Sequence, residues 1–224
     1  MPMQTQMLPT DPTLDEIREA LAPRLAANAA FDGWNDKAVE SACAEIGLDP
    51  DLGRLAFKGG AMVLIDAWIA SVDAEMARRL PPEKLGAMKI RDKITALVAT
   101  RLDIAAPDRE GQRRAAAIMA MPQNIAATAR IGWRSADRMW RLAGDTATDF
   151  NHYTKRMTLS AVYASTLSVF VNDESEDFAD TRAFLDRRID NVMQFEKVKA
   201  QAKARQDMLP SLSRFIGRLR YPPR

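Results

Sequence analysis

The chain is expected to be all-α, on three observations. No alternating run of Val, Ile or Thr is bounded by turn residues as a strand would be. Ala, Leu, Met, Arg and Glu, which favour helix, dominate. Proline and glycine fall between apolar stretches of helical period, where they act as stops. Its 224 residues suffice to bury a proper core, and 47% apolar with 28% charged is ordinary for a globular protein.

The first helix should open at Thr13, because Thr13 and Glu16 have capping-box spacing, and Pro23 should kink or restart it. Asp32-Gly33 ends that segment. A second helix, Asp36 to Ile46, sets Ala38, Val39, Ala42, Cys43 and Ile46 at helical spacing before Gly47 stops it, and a short third runs from Pro50 to about Phe57. Beyond Gly59-Gly60, longer helices are expected at 61–79, 82–102, 110–119, 123–143, 146–171 and 175–205. Pro81-Pro82, Pro107, Pro122, Gly144 and the acidic run NDESED supply the breaks. The helix from Thr146 is apolar on two sides. Phe150, Tyr153, Met157, Ala161 and Ala164 form one row and Leu159, Val162, Tyr163 and Phe170 another, which predicts a central place in its bundle. Three parts follow: a trio at 1–58, a larger helical domain at 59–206 and a tail at 207–224.

Charge is unevenly distributed. The whole chain carries +2. After residue 196, eight cations face Asp207 alone, so that end carries +7 and residues 1–196 carry −5. In the tail, Leu212, Phe215, Ile216 and Leu219 fall at i, i+3, i+4 and i+7, with Arg214, Arg218 and Arg220 elsewhere on the wheel. Such a basic amphipathic helix suits an anionic membrane surface or a partner groove, with a terminal helix docked on the bundle as the plainer alternative; the density of arginine favours the membrane.

The lone Cys43 permits no intrachain disulfide. The opening MPMQTQMLPTDPTLDEI lacks the basic and apolar regions of a secretory signal. The most apolar segment, AMVLIDAWIA, is interrupted by Asp66 and too short to span a bilayer. These features lead one to expect a cytosolic protein, or one attached to a membrane surface. Twelve methionines allow either plain helix packing or an adaptable apolar cavity.

One histidine and one cysteine cannot supply the ligands of a bundle di-iron centre or a zinc site, and there is no glycine-rich nucleotide loop, so no metal and no cofactor are expected. The first three helices have helix-turn-helix dimensions, but residues 35–58 hold three cations (Lys37, Arg54, Lys58) against five acids, which repels DNA. The stretch WRLAGDTATDFNHYTKR, residues 140–156, concentrates the remaining chemistry. Gly144 suits a helix stop, and Thr146 with Asp149 can cap the next helix. Asp149 and His152 share a helical face and could form a dyad, but no hydroxyl stands where they could activate it.

The segments AFDGW (30–34), MPQNI (121–125), MWRLAGDTATDFNHYTKR (139–156), VYASTL (162–167) and DFADTRAFLDRRI (177–189) resemble the coenzyme Q (ubiquinone) biosynthesis accessory family "Coq-nine". The resemblance runs from about residue 14 to 205, and the N-terminal half looks like a TetR-type helix-turn-helix. It implies a TetR-like homodimer that is not an enzyme. The larger domain would bind an isoprenoid quinone or other lipid and assist the di-iron hydroxylase of that pathway, with no nucleic acid as partner. The partner-facing patch would comprise Trp140, Asp149, Phe150, His152, Tyr153 and Arg156, and at His152 the family often carries tryptophan. Trp68, Trp133, Met139, Tyr163 and Phe170 are candidates to line the lipid site. Leu212, Arg214, Phe215, Ile216, Arg218, Leu219 and Arg220 would meet the membrane. A TetR-type regulator sensing a hydrophobic ligand is the alternative.

Overall fold

The computed structural model describes residues 8–208, with side chains described through residue 195. The basic amphipathic segment proposed at 211–224 lies outside the described residues. Eleven α-helices and no strand are present among those residues. They are α1 (Leu14–Leu21), α2 (Leu25–Asp32), α3 (Asp36–Ile46), α4 (Pro50–Ala56), α5 (Ala61–Arg79), α6 (Pro82–Gly86), α7 (Ile90–Ala105), α8 (Arg109–Met119), α9 (Ile125–Leu142), α10 (Phe150–Phe170) and α11 (Ala179–Met208).

Local chemistry sets most of the boundaries. Thr13 caps α1 through a complete capping box with Glu16, and Pro23 falls in a 3-10 turn that separates α1 from α2. Gly47 adopts the left-handed conformation that ends α3 (φ 69°). The next short helix, α4, is capped by Asp49, whose side chain accepts the Asp51 N–H.

Four expected boundaries shift for physical reasons. The helix expected over 82–102 is two helices, because the chain turns at 87–89, with Lys89 extended, after burying Leu85. The helix expected from Thr146 begins at Phe150 with Asp149 as its cap, since Asp145 is drawn into ion pairs with Lys155 and Arg156. Pro122–Asn124 form a 3-10 turn, after an extended Met121, before α9 starts at Ile125. Before α11, a 3-10 turn at Glu176–Phe178 replaces the first expected turn of helix.

Two cores are built. Leu21, Leu25, Ala26, Val39, Cys43 and Trp68 pack in the first, and Met76, Leu97, Met139, Leu159, Phe170 and Leu185 in the second. Helix α5 contributes to both, with Trp68 in one and Met76 in the other. The first core therefore reaches past the Gly59-Gly60 turn into α5, α7, α8 and α9. Helix α10 does not occupy the surrounded position that its two apolar rows suggested. Leu159, Val162 and Phe170 are buried, but Phe150, Tyr153 and Met157 face outward at 74%, 56% and 65% exposure. No described element covers that second row. Among the described residues no single helix is long and apolar enough to cross a membrane.

Candidate functional site

The junction of the two cores encloses a cavity of about 440 Å³. Trp68, Ile69 and Val72 of α5, Ala115 and Met119 of α8, Ile131 and Met139 of α9, and Leu167 of α10 give it mostly apolar walls. That volume lies in the range typical of small-molecule sites. Ala120, Ala164 and Ser168 line it and are themselves exposed, so small side chains at the C-terminal end of α8 and on α10 border its open side.

One region of the wall is polar. Arg101 donates from Nε to Asp73 Oδ1 at 2.8 Å and from Nη2 to Ser135 Oγ at 3.2 Å. Ser135 in turn donates to Asp73 Oδ2 at 2.6 Å. The Arg101 guanidinium lies 4.3 Å from the centroid of the Tyr163 ring, a cation–π arrangement. Burial works against its charge, but Asp73 outweighs burial and holds Arg101 above its ordinary pKa. For Tyr163 burial is the chief cause and raises the phenol pKa, so the hydroxyl keeps its proton.

Of the five lining candidates, Trp68, Met139 and Tyr163 face this cavity. The other two are elsewhere. Phe170 packs on Phe178, ring centroids 4.9 Å apart, and borders a separate small cleft. Trp133 joins an aromatic group, 5.9 Å from Tyr153 and 6.1 Å from His152.

The 140–156 stretch divides by depth. Trp140 donates Nε1 to the Lys155 carbonyl at 3.0 Å and packs beneath the Lys155 ammonium. Arg156 is only 1% exposed. Its Nε meets Asp137 at 2.7 Å and its Nη1 meets Asp145 at 3.0 Å and the His152 carbonyl at 3.1 Å. Burial alone would raise the Asp145 pKa, but Lys155 and Arg156 outweigh it and hold the carboxyl below its ordinary value. Phe150 and Tyr153 stand in solvent, with His152 half-buried beside Tyr153 in an edge-on contact of 5.2 Å.

Asp149 and His152 do not form a dyad. Asp149 accepts from Asn151 N and Nδ2, both at 3.0 Å, while His152 Nδ1 faces the Ala147 carbonyl at 2.9 Å. A carbonyl only accepts, so Nδ1 carries the proton there. Among the described residues no group of three His, Cys, Asp or Glu side chains could hold a metal ion. The expected outer patch is thus Phe150, His152 and Tyr153, with Asp149 at its margin, joined by Trp133 and Met157. Arg156 is the tie beneath it.

Sequence reasoning missed the Asp73–Arg101–Ser135 set and Gln112, which also lines the cavity. They come from four helices with no local spacing, and the one available cue is an acid, Asp73, four residues after the apolar Ile69 and three before Met76 on α5.

The COQ9 family model matches residues 125–196, which span α9, α10 and the start of α11. The human "Ubiquinone biosynthesis protein COQ9, mitochondrial" is 31% identical over 179 residues, covering 77% of this chain and 56% of the human protein. The rat protein of the same description is 32% identical over 179 residues, covering 77% of this chain and 57% of its own length. This chain therefore spans a little over half the length of these relatives. Among solved structures, the TetR transcriptional regulator from Nitrosomonas europaea ATCC 19718 superposes with a TM-score of 0.62 at 22% identity, over 77% of this chain and 95% of that one. That likeness is one of fold, and the fold is TetR-like.

Proposed function

Given that this chain belongs to the COQ9 family through its α9–α11 region and the wider similarity around it, we propose that it is a non-enzymatic, lipid-binding accessory protein of ubiquinone biosynthesis. It takes an isoprenoid quinone intermediate into the cavity between its two cores and offers it to a di-iron hydroxylase that docks on the Phe150–Tyr153 surface. The observation that carries this reading is the apolar cavity of about 440 Å³ at the junction of the two cores, of a size typical of small-molecule sites.

Other features support the parts of the proposal. Phe150, Tyr153 and Met157 form an exposed apolar row on one helix, and apolar rows of this kind mark partner surfaces. The pairing of two copies and peripheral attachment to a bacterial inner membrane complete the proposal. The membrane contact is assigned to the 211–224 segment on its sequence.

The alternative, a DNA-binding regulator, is favoured by the TetR-like fold and opposed by charge. Arg54, the cation on the helix that would enter the groove, already pairs with Glu40 and Asp51. A cation so held has little charge left for phosphate.

The test is hydroxylation of a demethoxy-quinone by the purified di-iron enzyme with and without this chain. Turnover is expected to rise several-fold on addition of the chain, while the chain alone gives none. No stimulation would contradict the accessory role, and turnover by the chain alone would contradict the non-enzymatic one.

A further inference from the structure

The cavity wall carries a polar pole whose bonds are incompletely used. Gln112 is 4% exposed and lines the cavity, yet its Oε1 accepts no hydrogen bond. A buried amide oxygen without a donor is costly, and such groups are nearly always satisfied by protein, water or ligand. The Gln112 side chain stands beside the Tyr163 hydroxyl, close enough that their contact eases the rise that burial imposes on the phenol pKa. An acceptor and a donor therefore lie together on one wall of an otherwise apolar chamber.

Charge at the pole is already balanced. Among the described residues Arg101 is the only charged side chain that lines the cavity, and Asp73 holds it at 2.8 Å, with side-chain exposures of 4% and 2%. An anionic head group would have to give up its hydration and lie near Asp73 with no uncommitted cation to receive it. A neutral hydroxyl carries no such penalty. It can donate to Gln112 Oε1 and accept from the Tyr163 hydroxyl.

We infer that the Gln112–Tyr163 pole is a head-group subsite that selects amphiphiles ending in a neutral hydroxyl, of the phenol class, over carboxylates, phosphates and plain hydrocarbons. The inference rests on the cavity being a lipid site. Arg101, fixed by Asp73 and Ser135, acts as a positioning residue that holds the Tyr163 ring from its face.

Three probes of matched length test it on the delipidated full chain, with binding followed by tryptophan fluorescence, since Trp68 lines the cavity. These are 4-nonylphenol, nonylbenzene and 4-nonylbenzoate. The phenol is expected to bind roughly tenfold more tightly than nonylbenzene, the discrimination of one buried hydrogen-bonded group, and the benzoate more weakly than the phenol. Gln112→Leu keeps the volume and removes the acceptor, and Tyr163→Phe removes the hydroxyl. Each should reduce the phenol preference to about twofold or less while leaving nonylbenzene affinity unchanged, a result a merely structural role would not give. Equal binding of all three probes would overturn the head-group subsite and leave the lipid site standing. A benzoate that binds best, or a phenol preference that survives both substitutions, would also overturn it. Failure of every probe to bind would remove the lipid site itself.

Discussion

Arg156 lies between two carboxylates and away from water, while Tyr153, one helical turn earlier, stands out in it. The two residues therefore differ in what their loss would cost. Arg156→Met leaves Asp137 and Asp145 without their shared cation at the base of α10. Asp137 keeps Arg141 and Asp145 keeps Lys155, so the loss is that of their buried hydrogen bonds to the guanidinium, and chemical denaturation of the variant should show a cost of about 2–3 kcal/mol. Tyr153→Ala removes only an exposed ring that touches Trp133 and His152, and should cost about 1 kcal/mol or less while breaking hydroxylase pull-down. A stability loss for Tyr153→Ala as large as that for Arg156→Met would mean the ring is a structural prop. At this scale, the residues that act on near neighbours were legible in sequence. Thr13 with Glu16 and Gly144 (φ 90°) serve as caps and stops as expected. The burial of Arg156 was not legible, because it depends on Asp137 from another helix and on Asp145 folding in from the turn between α9 and α10.

Helix packing supplies the next level. Helices α2 and α8 cross so closely that a methyl group on Gly111 would collide with the Ala26 carbonyl oxygen, and Trp34 donates its indole N–H to the Gly111 carbonyl at 3.0 Å. Alanine is the better helix former by about 1 kcal/mol, yet forcing a methyl into a packed crossing costs about 1–3 kcal/mol and displaces backbone. The clash wins, so Gly111→Ala should lower the melting temperature. Gly132 lies inside α9 with nothing near its missing side chain, so Gly132→Ala should hold or raise it. Opposite signs for two glycines, each within a helix, measure the packing and not the propensity. The pattern of period and breaker residues located the helices from α1 to α5 almost to the residue. It failed at 87–89 and 145–149, where a buried Leu85 and the ion pairs of Asp145 decide the chain path. No local pattern encodes either contact.

For the molecule as a whole, the TetR-like fold supplies a scaffold in which α5 joins the four short helices α1–α4 to the longer helices, with the cavity at the junction of the two cores. The all-α class and the positions of the short helices were legible from spacing. The chemistry of the cavity was not, because Asp73, Arg101, Gln112, Ser135 and Tyr163 are brought together from five helices by the fold alone. Trp68, Met139 and Tyr163 were recognisable as large apolar or aromatic residues in long helices, a description that Trp133 and Phe170 fit equally well though they lie outside the cavity. What the cavity holds is the central claim, and it is open to direct measurement. The full chain, purified without added lipid, is extracted with organic solvent and the extract analysed by mass spectrometry. The account predicts a polyprenylated quinone or phenolic precursor co-purifying in near-stoichiometric amount, and its loss when the cavity is filled by Ala136→Phe. An extract free of any such lipid, or one unchanged by filling the cavity, would contradict it.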